Sequence, residues 1–194
     1  YQAKDLVNII KTFGEEKEAA SIVKNIIRQR KIKPITTTNE LTNIIKKSKK
    51  KNFKKKIDLS TKTFQALRII VNKEISELIN GIIKATKILK PGGKLILVTF
   101  HSLEDKIVKY FFKNYADNFS RQNKYSPEHT ENKISLFENY KNKVIRASQN
   151  ELKINPRSRS AKLRIAVRSL NEFSDPKELR NKFKYLIDLE KRIA

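Results

Sequence analysis

A histidine and two carboxylates, His101, Glu104 and Asp105, lie within one short stretch of the chain. Histidine is the side chain most often used to accept a proton during a reaction, and carboxylates serve when their surroundings adjust the pKa. The stretch therefore predicts a proton-accepting site with His101 as its main group. A structural interpretation stays open: His101 could bond to the backbone, and Ser102 could cap a helix whose positive end is complemented by Glu104 and Asp105.

A second set of residues has the chemistry of a phosphate-binding site. The segment NPRSRSAK carries Arg157, Arg159 and Lys162. In an extended segment, alternate spacing places both arginines on the same side, where guanidinium groups can each donate two hydrogen bonds to phosphate oxygens. A solvated approach to a hairpin is the alternative. Arg68 lies beside the apolar stripe of a predicted helix, where an ion pair and a phosphate contact are equally compatible with its position.

The composition favours a polyanionic partner. Lysine and arginine total 44 against 20 acidic residues, a formal net charge of +24, and such an excess favours nucleic acid because bound phosphates release their counterions. A coding sequence rich in A and T would also enrich lysine. Cysteine is absent, which excludes disulfides and thiolate zinc sites, and two histidines make a multi-histidine metal site improbable. No apolar run approaches the ~20 residues of a membrane span, so a cytoplasmic protein without a membrane partner is predicted.

The elements that must position these residues begin with helices. Apolar spacing predicts helical structure from residue 1 to about 31 with a break at Gly14, ended by Pro34. Thr37 and Glu40 have the spacing of a capping box, which predicts a short helix through Ile45. The lysine-rich residues 46–56 predict a solvated loop, in which Phe53 could stack on a base.

A strand then delivers the polar stretch. One long helix is predicted over residues 63–89, capped by Thr61 or Thr63 and ended by a Pro-Gly-Gly turn. The unbroken apolar run at 95–98 suits an interior strand of a parallel sheet. Ligands of such α/β sheets bind beyond the carboxyl ends of the strands, which is where His101 follows.

The remaining chain completes an α/β pattern. A helix with Ile107 and Phe111 inward follows, then a predicted insertion loop over residues 113–141 containing Pro127 and His129. Strands are predicted near 144–145 and over 163–167, and a charged amphipathic helix over 176–193. The order of elements is that of the latter half of a doubly wound α/β sheet. The chain begins within a helical pattern and without methionine, which predicts a fragment or a processed chain.

Several separated motifs resemble one known family. The segments TFQALRIIVN, LKPGGKLILVTFHSLEDKIVKYFF and NPRSRSAKLRIAVR, together with FGEEKEAASIVKNII and PITTTNEL, occur in the order of the bacterial ribosomal RNA small-subunit methyltransferase H family, also called MraW. The resemblance covers about residues 1–168. One departure is that Asp58-Leu59 stands where the family has a His-Pro pair.

This resemblance implies a fold and an activity. The fold would be the C-terminal half of a Rossmann-type class I methyltransferase sheet with a helical insertion domain. Residues 1–57 would be the later part of that insertion, 58–170 the C-terminal part of the methyltransferase domain, and 171–194 a charged C-terminal helix. The activity would be S-adenosyl-L-methionine-dependent N4-methylation of a cytidine in the decoding region of 16S ribosomal RNA, free or in the small ribosomal subunit.

With this activity, the residues singled out above acquire expected roles. His101, Glu104 and Asp105 would be catalytic, and Arg157, Arg159, Lys162 and Arg68 would bind RNA. The cofactor-binding residues would precede Tyr1, so this chain alone is expected to be inactive. The alternative is a non-catalytic basic RNA-binding module derived from the same fold. A basic helix that binds a membrane surface or a calmodulin-type partner is supported by charge alone.

Overall fold

The computed structural model describes residues 1–49, 58–117, 135–138 and 140–192. Within them the protein is α/β, with helices and a small antiparallel sheet. It divides into two compact units, a helical unit (Tyr1–Ile75 and Leu186–Ala194) and a sheet unit (Ser76–Tyr185). No described helix is long and apolar enough to cross a bilayer.

The described residues form the following helices and strands. The helices are α1 (Ala3–Gly14), α2 (Ala19–Ile32), α3 (Thr38–Ser48), α4 (Thr61–Asn72), α5 (Glu74–Ile88), α6 (Ser102–Tyr115), α7 (Gln149–Ile154), α8 (Lys177–Lys182) and α9 (Lys184–Lys191), with a 3-10 helix at Pro156–Ser160. The strands are β1 (Lys94–Thr99), β2 (Phe137–Glu138), β3 (Ile145–Arg146) and β4 (Lys162–Arg168).

The core of the helical unit is built around the close approach of α1 to α4. A β-carbon added at Gly14 would lie 2.5 Å from the carbonyl oxygen of Lys62, so only glycine fits there. Gln65 donates to the carbonyl of Phe13 at 3.0 Å, and Lys62 donates to the carbonyl of Glu15 at 2.7 Å. The polar side chains of α4 thus satisfy the exposed carbonyls at the end of α1, as helix termini require.

The predicted start of the helical unit is confirmed. Two helices flank a break at Gly14, and α2 ends two residues before Pro34. The Thr37 hydroxyl accepts from the Glu40 amide at 3.2 Å, while the Glu40 carboxylate accepts from the Thr37 amide at 3.3 Å, which is the predicted capping box.

The lysine-rich segment begins differently from the prediction. The loop was expected from residue 46, but α3 continues through Ser48 and includes Lys46 and Lys47. Lysine has a high helix propensity and its charge suits the negative C-terminal end of a helix. The rest of the predicted loop, with Phe53, lies in 50–57, outside the described residues.

Lys49 and Asp58, the residues on either side of 50–57, are both held by ion pairs within the helical unit. Lys49 forms a buried ion pair with Glu16 and also donates to the carbonyl of Leu59 at 2.6 Å. Lys46 lies 3.0 Å from the Asp58 carboxylate. The side chains of Lys49 and Glu16 are only 7% and 5% exposed, so each is the charge partner that the other requires.

The prediction of a single helix over residues 63–89 is wrong. The chain breaks at Lys73, whose φ of 52° is left-handed and whose amide caps α4 by donating to the carbonyl of Ile69. The carboxylate of Glu190 in α9 then accepts from the Ile75 amide at 2.9 Å, which satisfies a free donor at the start of α5.

The predicted capping and burial of α4 also need correction. The N-cap is Ser60, without a side-chain hydrogen bond to the helix end, and Thr61 is already the first helical residue. Thr63 is the third residue of the helix, so it does not cap it, and its side chain is buried. Val71, an apolar residue near the end of α4, is 72% exposed.

The sheet is antiparallel where a parallel sheet was predicted for β1. β1 pairs with β4 in the register Ile96 to Ile165, the described strand order is β1-β4-β2, and β3 also pairs with β4. Leu95 and Thr99 are buried on one side, but Ile96 and Val98 on the other side are 52% and 49% exposed. The apolar run therefore has one covered face within the described residues.

The last part of the predicted insertion loop belongs to the core. Leu136 and Phe137 are fully buried, and the Phe137 ring packs edge-on against Phe111 and Phe112 of α6 at 5.7 and 5.5 Å. The helix α6 also extends through Tyr115. Residues 118–134, with Pro127 and His129, lie outside the described residues.

The later strands are confirmed, but the final helix is not continuous. β3 and β4 lie within one residue of the predicted positions. The predicted helix over 176–193 is divided at Phe183 into α8 and α9. The Phe183 ring is buried and meets Tyr110 edge-on at 5.5 Å, so burial of one aromatic side chain accompanies the break.

Candidate active site and nucleic-acid interface

The polar stretch lies at the carboxyl end of β1, as predicted. β1 ends at Thr99, and α6 begins at Ser102. The N-cap of α6 is His101 and not Ser102, which is the first helical residue. The His101 Nδ1 accepts from the Glu104 amide at 3.3 Å, and the Glu104 carboxylate accepts from the His101 amide at 3.3 Å. His101 thus replaces the usual serine or threonine of a capping box.

The capping role leaves one ring nitrogen of His101 available. Because Nδ1 accepts a hydrogen bond, the proton of the neutral ring belongs on Nε2. Nε2 is buried and makes no hydrogen bond of good geometry with any described residue, although the Glu104 Oε1 lies 3.3 Å away. The His101 side chain is 7% exposed. A buried polar nitrogen of this kind requires an explanation, and a ligand contact is one of the few available.

The Glu104 carboxylate is held in its charged form. Burial raises its pKa, but the nearby His101 side chain and the hydrogen bond from the Phe100 amide lower it by more, so the pKa lies below the ordinary 4.5. The Phe100 amide lies 2.8 Å from Oε2. At neutral pH, Glu104 is therefore an anion next to the imidazole of His101.

Asp105 serves a different set of partners, at the start of β4. Its two carboxylate oxygens each accept a hydrogen bond at 2.9 Å, one from Lys162 Nζ and the other from Arg164 Nε. Arg164 also donates to the Tyr140 hydroxyl at 3.1 Å, and its side chain is 4% exposed. Burial raises the pKa of Asp105, but Arg164 and Lys162 hold it below the ordinary 3.8. The Asp105 carboxylate thus ties the first turn of α6 to β4.

Arg164 and Tyr140 were missed by the sequence analysis. Burial raises the pKa of the Tyr140 hydroxyl although Arg164 opposes this, so Tyr140 is neutral and accepts the hydrogen bond. The alternation in the β4 sequence KLRIAVR could have indicated them, because Arg164 and Arg168 share a strand face with the buried Ala166. An arginine on a buried strand face requires an acceptor opposite it.

The predicted phosphate-binding residues are not brought together. Arg157 and Arg159 are both exposed, but they lie in the 3-10 helix at Pro156–Ser160 and not in an extended segment. With three residues per turn, positions two apart point roughly 120° away from each other, so the expectation of a shared side is wrong. Neither forms an ion pair with a residue of the described ranges.

The other two predicted RNA-binding residues have protein partners. Lys162 pairs with Asp105, although 26% of its side chain is exposed. Arg68 belongs to the helical unit, where its guanidinium forms a two-pronged ion pair with Glu74 at 2.7 and 3.0 Å. The structural alternative considered for Arg68 is therefore present in the structure.

The glycine pair of the chain is used by a turn. The Gly92 amide donates to the Arg168 carbonyl at 2.9 Å, and the Arg168 amide donates to the Gly93 carbonyl at 2.7 Å. Gly92 has a φ of 78°, which favours glycine. These contacts fix the entry into β1, and the described residues offer no glycine-rich cradle for a nucleotide cofactor.

In the described part of the chain, a polar turn follows β1, which pairs with the antiparallel strand β4 in an α/β arrangement. Residues 1–169 match the model of the MraW methylase family, and the chain belongs to this family. The resemblance stated from the motifs is confirmed.

The chain is also similar to curated proteins named ribosomal RNA small subunit methyltransferase H. The chain is 45% identical over 165 residues to the ribosomal RNA small subunit methyltransferase H of Ehrlichia chaffeensis, which covers 85% of this chain and 52% of the relative. It is 42% identical to the protein of the same name from Agrobacterium fabrum, and the match covers 85% of this chain and 48% of that relative. It is also 42% identical to the protein of the same name from a Sulfurihydrogenibium species, and that match covers 87% of this chain and 52% of the relative. The chain thus spans about half the length of these relatives.

Proposed function

We propose that this chain is the RNA-facing, C-terminal part of a methyltransferase that modifies N4 of a cytidine in the decoding region of 16S ribosomal RNA, free or in the small subunit. Membership of the MraW methylase family supports methyl transfer to ribosomal RNA, with S-adenosyl-L-methionine as the methyl donor of that family. The observation that carries the proposal within this chain is the His101–Glu104 pair with its unbonded, buried Nε2.

The chemistry of the reaction explains why such a pair is needed. The exocyclic amine of cytosine is a poor nucleophile, because its lone pair is delocalised into the ring, and it must lose a proton when it is methylated. The charged Glu104 carboxylate would accept a hydrogen bond from the amine and then its proton, and the Nε2–H of His101 would donate a hydrogen bond to an acceptor of the base. Correct positioning contributes most of the acceleration in such transfers. The base must be out of its stack to reach the site.

Asp105 has a supporting role in this proposal. Its carboxylate is occupied by Lys162 and Arg164 at 2.9 Å each, so it holds the first turn of α6 in place and thereby orients His101 and Glu104. The exposed Arg157 and Arg159 would contact RNA phosphates, and Lys162 would add to this charge. Arg68 would contribute through the potential of the helical unit.

The architecture of the complete protein is part of the proposal. β1 lies at one end of the described strand order, and Ile96 and Val98 on its outer face are half exposed. Both features support further strands beside β1 and helices over its outer face, as in a Rossmann-type methyltransferase sheet. Residues 1–57 would be the later part of a helical insertion, 58–170 the end of the methyltransferase domain, and 171–194 a C-terminal helical segment.

The test separates the chemistry of His101 from its capping role. In a protein extended to the length of its relatives, His101→Asn keeps an N-cap acceptor, since asparagine is among the best N-caps. We expect this variant to retain the stability and RNA affinity of the wild type and to lose about 10²–10³-fold in the rate of labelled methyl transfer to small subunits, the range for loss of one hydrogen-bond donor in an active site.

The controls and the alternative follow from the same variant. His101→Ala removes the cap as well, so it should lose both rate and stability. Wild-type turnover by His101→Asn would leave His101 with a capping role alone. If the extended wild-type protein binds RNA but transfers no methyl group, the exposed Arg157 and Arg159 and the +24 charge favour a non-catalytic RNA-binding module instead.

A further inference from the structure

A polar pocket opens between α2 and α3 in the helical unit. Its volume is about 300 Å³, at the lower end of the ~300–1,000 Å³ range of small-ligand pockets. Ile35, Pro34 and Ile44 supply an apolar lining, and amide and cationic side chains surround it. None of the residues that line the pocket belongs to the polar cluster of His101, Glu104 and Asp105.

Two amide side chains in the pocket lining have unused hydrogen-bonding groups. Gln29 and Asn43 come from α2 and α3, and the side chain of neither bonds to a described residue. Asn25, the third amide, is already engaged, since it donates to the Ser48 hydroxyl at 2.8 Å. An amide offers a donor and an acceptor side by side, which matches the edge of a nucleic-acid base.

The charge around the pocket is positive. Arg28 and Lys47 line it, are exposed and form no ion pair within the described ranges. Lys33 is paired with Glu40, the one acid of the lining, whose carboxylate also completes the capping box with Thr37. The exposed Lys24 lies four residues before Arg28 on α2, so both cations project from one side of that helix.

We propose that the α2–α3 pocket binds one unpaired nucleotide of single-stranded RNA. The base enters between Ile35 and Ile44, the amides of Gln29 and Asn43 read its edge, and Arg28 and Lys47 hold the flanking phosphates. Single-stranded RNA is read in this way, with splayed bases in apolar pockets and hydrogen bonds to their edges. The inference rests on the proposed function for its choice of RNA, and it adds a second point of recognition outside the reacting site.

The experiment uses the 194-residue chain and four fluorescent ten-nucleotide RNAs, each containing a single type of base, in anisotropy titrations at several salt concentrations. Arg28→Ala with Lys47→Ala should reduce the slope of log affinity against log salt by about 1.4, since each phosphate contact contributes ~0.7 for single strands. Lys11→Ala with Lys17→Ala is the charge-matched control, because both lysines are exposed residues outside the pocket. It should change the slope much less.

The amide variants test base reading separately from charge. Gln29→Ala with Asn43→Ala should leave the salt slope unchanged and reduce the ratio between the best and the poorest RNA by about tenfold, the value of one well-placed amide pair. Because alanine has the highest helix propensity, this variant should keep α2 and α3 folded, which circular dichroism can check.

Three results would overturn the inference. They are equal affinity of the wild type for all four RNAs, an amide variant that keeps the wild-type base preference, and a pocket cation variant that behaves like the Lys11/Lys17 control. These binding results are independent of methyl transfer. Absence of a base preference in the wild-type chain, together with normal methylation by the extended protein, rejects the pocket alone, whereas a normal base preference without methylation rejects the proposed function alone.

Discussion

Replacing Asp105 by asparagine should destabilise the sheet unit strongly. The substitution removes the charge that faces Arg164, whose side chain is 4% exposed. Breaking a buried ion pair from one side typically costs about 3–5 kcal/mol, because the remaining charge keeps its desolvation cost. Asp105 is 13% exposed and also pairs with Lys162, so we expect a value near 3 kcal/mol. With a urea m-value of ~2 kcal/mol/M, the unfolding midpoint falls by about 1.5 M.

The assay is urea unfolding of the chain followed by far-ultraviolet circular dichroism. Asp175→Asn is the matched control, because Asp175 and Arg180 also lie 2.9 Å apart but are 39% and 42% exposed. An exposed pair contributes about 0–1 kcal/mol. Arg164→Lys, which keeps the charge and loses the planar guanidinium, provides a milder variant if Asp105→Asn does not fold. A midpoint for Asp105→Asn no lower than that of Asp175→Asn would refute the reasoning.

The pH dependence provides an independent check on Asp105. Its pKa is held below the ordinary 3.8, so the unfolded chain binds its proton more readily than the folded chain does. The stabilisation from Asp105 is thus complete above about pH 4 and is lost as the pH falls through the folded pKa. The loss of folding stability at acidic pH should therefore be smaller in Asp105→Asn than in the wild type. An unchanged difference between wild type and variant from pH 6 to pH 2 would contradict the assignment.

Further predictions concern the helical unit and α5, each measured by urea unfolding. Gly14→Ala should lower the free energy of unfolding by about 1–3 kcal/mol through overpacking against Lys62. Gly81→Ala in α5, where a β-carbon meets nothing within 4 Å, should raise it by about 0.5–1 kcal/mol. Similar effects of the two substitutions would reject the close approach of α1 to α4. Thr37→Ala should cost ~1 kcal/mol through loss of the N-cap. The pKa of Glu40 is lowered to about 2, first by its hydrogen bond from Lys33, so its stabilisation should disappear as the pH falls from about 4.5 toward 2; a flat profile would reject that bond.

Local rules predicted those elements whose signals are local. The Thr37–Glu40 capping box was recognised because threonine is a standard N-cap. His101 and Glu104 have the same spacing, but Ser102 was predicted as the cap of that helix, since histidine is rarely an N-cap. The position of the polar stretch after β1 followed from the apolar run and the Pro-Gly-Gly turn.

Long-range contacts account for what sequence patterns missed. The helix break at Lys73 has no glycine or proline to signal it, and the start of α5 there is completed by Glu190, 115 residues from Ile75. The direction of strand pairing could not be predicted either, because the apolar residues of β1 indicate which of its faces are buried but not which strand lies beside it. The sequence analysis did not single out Arg164, because its partner Asp105 lies 59 residues away along the chain.

The outer side of β1 has a consequence for handling the chain in solution. Its backbone donors and acceptors on that side have no strand partner among the described residues, and Ile96 and Val98 are half exposed beside them. Unprotected sheet edges of this kind recruit edges of other molecules and start aggregation. The net charge of +24 opposes such encounters by repulsion, but salt screens that repulsion. The chain should therefore stay monomeric in dilute buffer and self-associate as ionic strength rises.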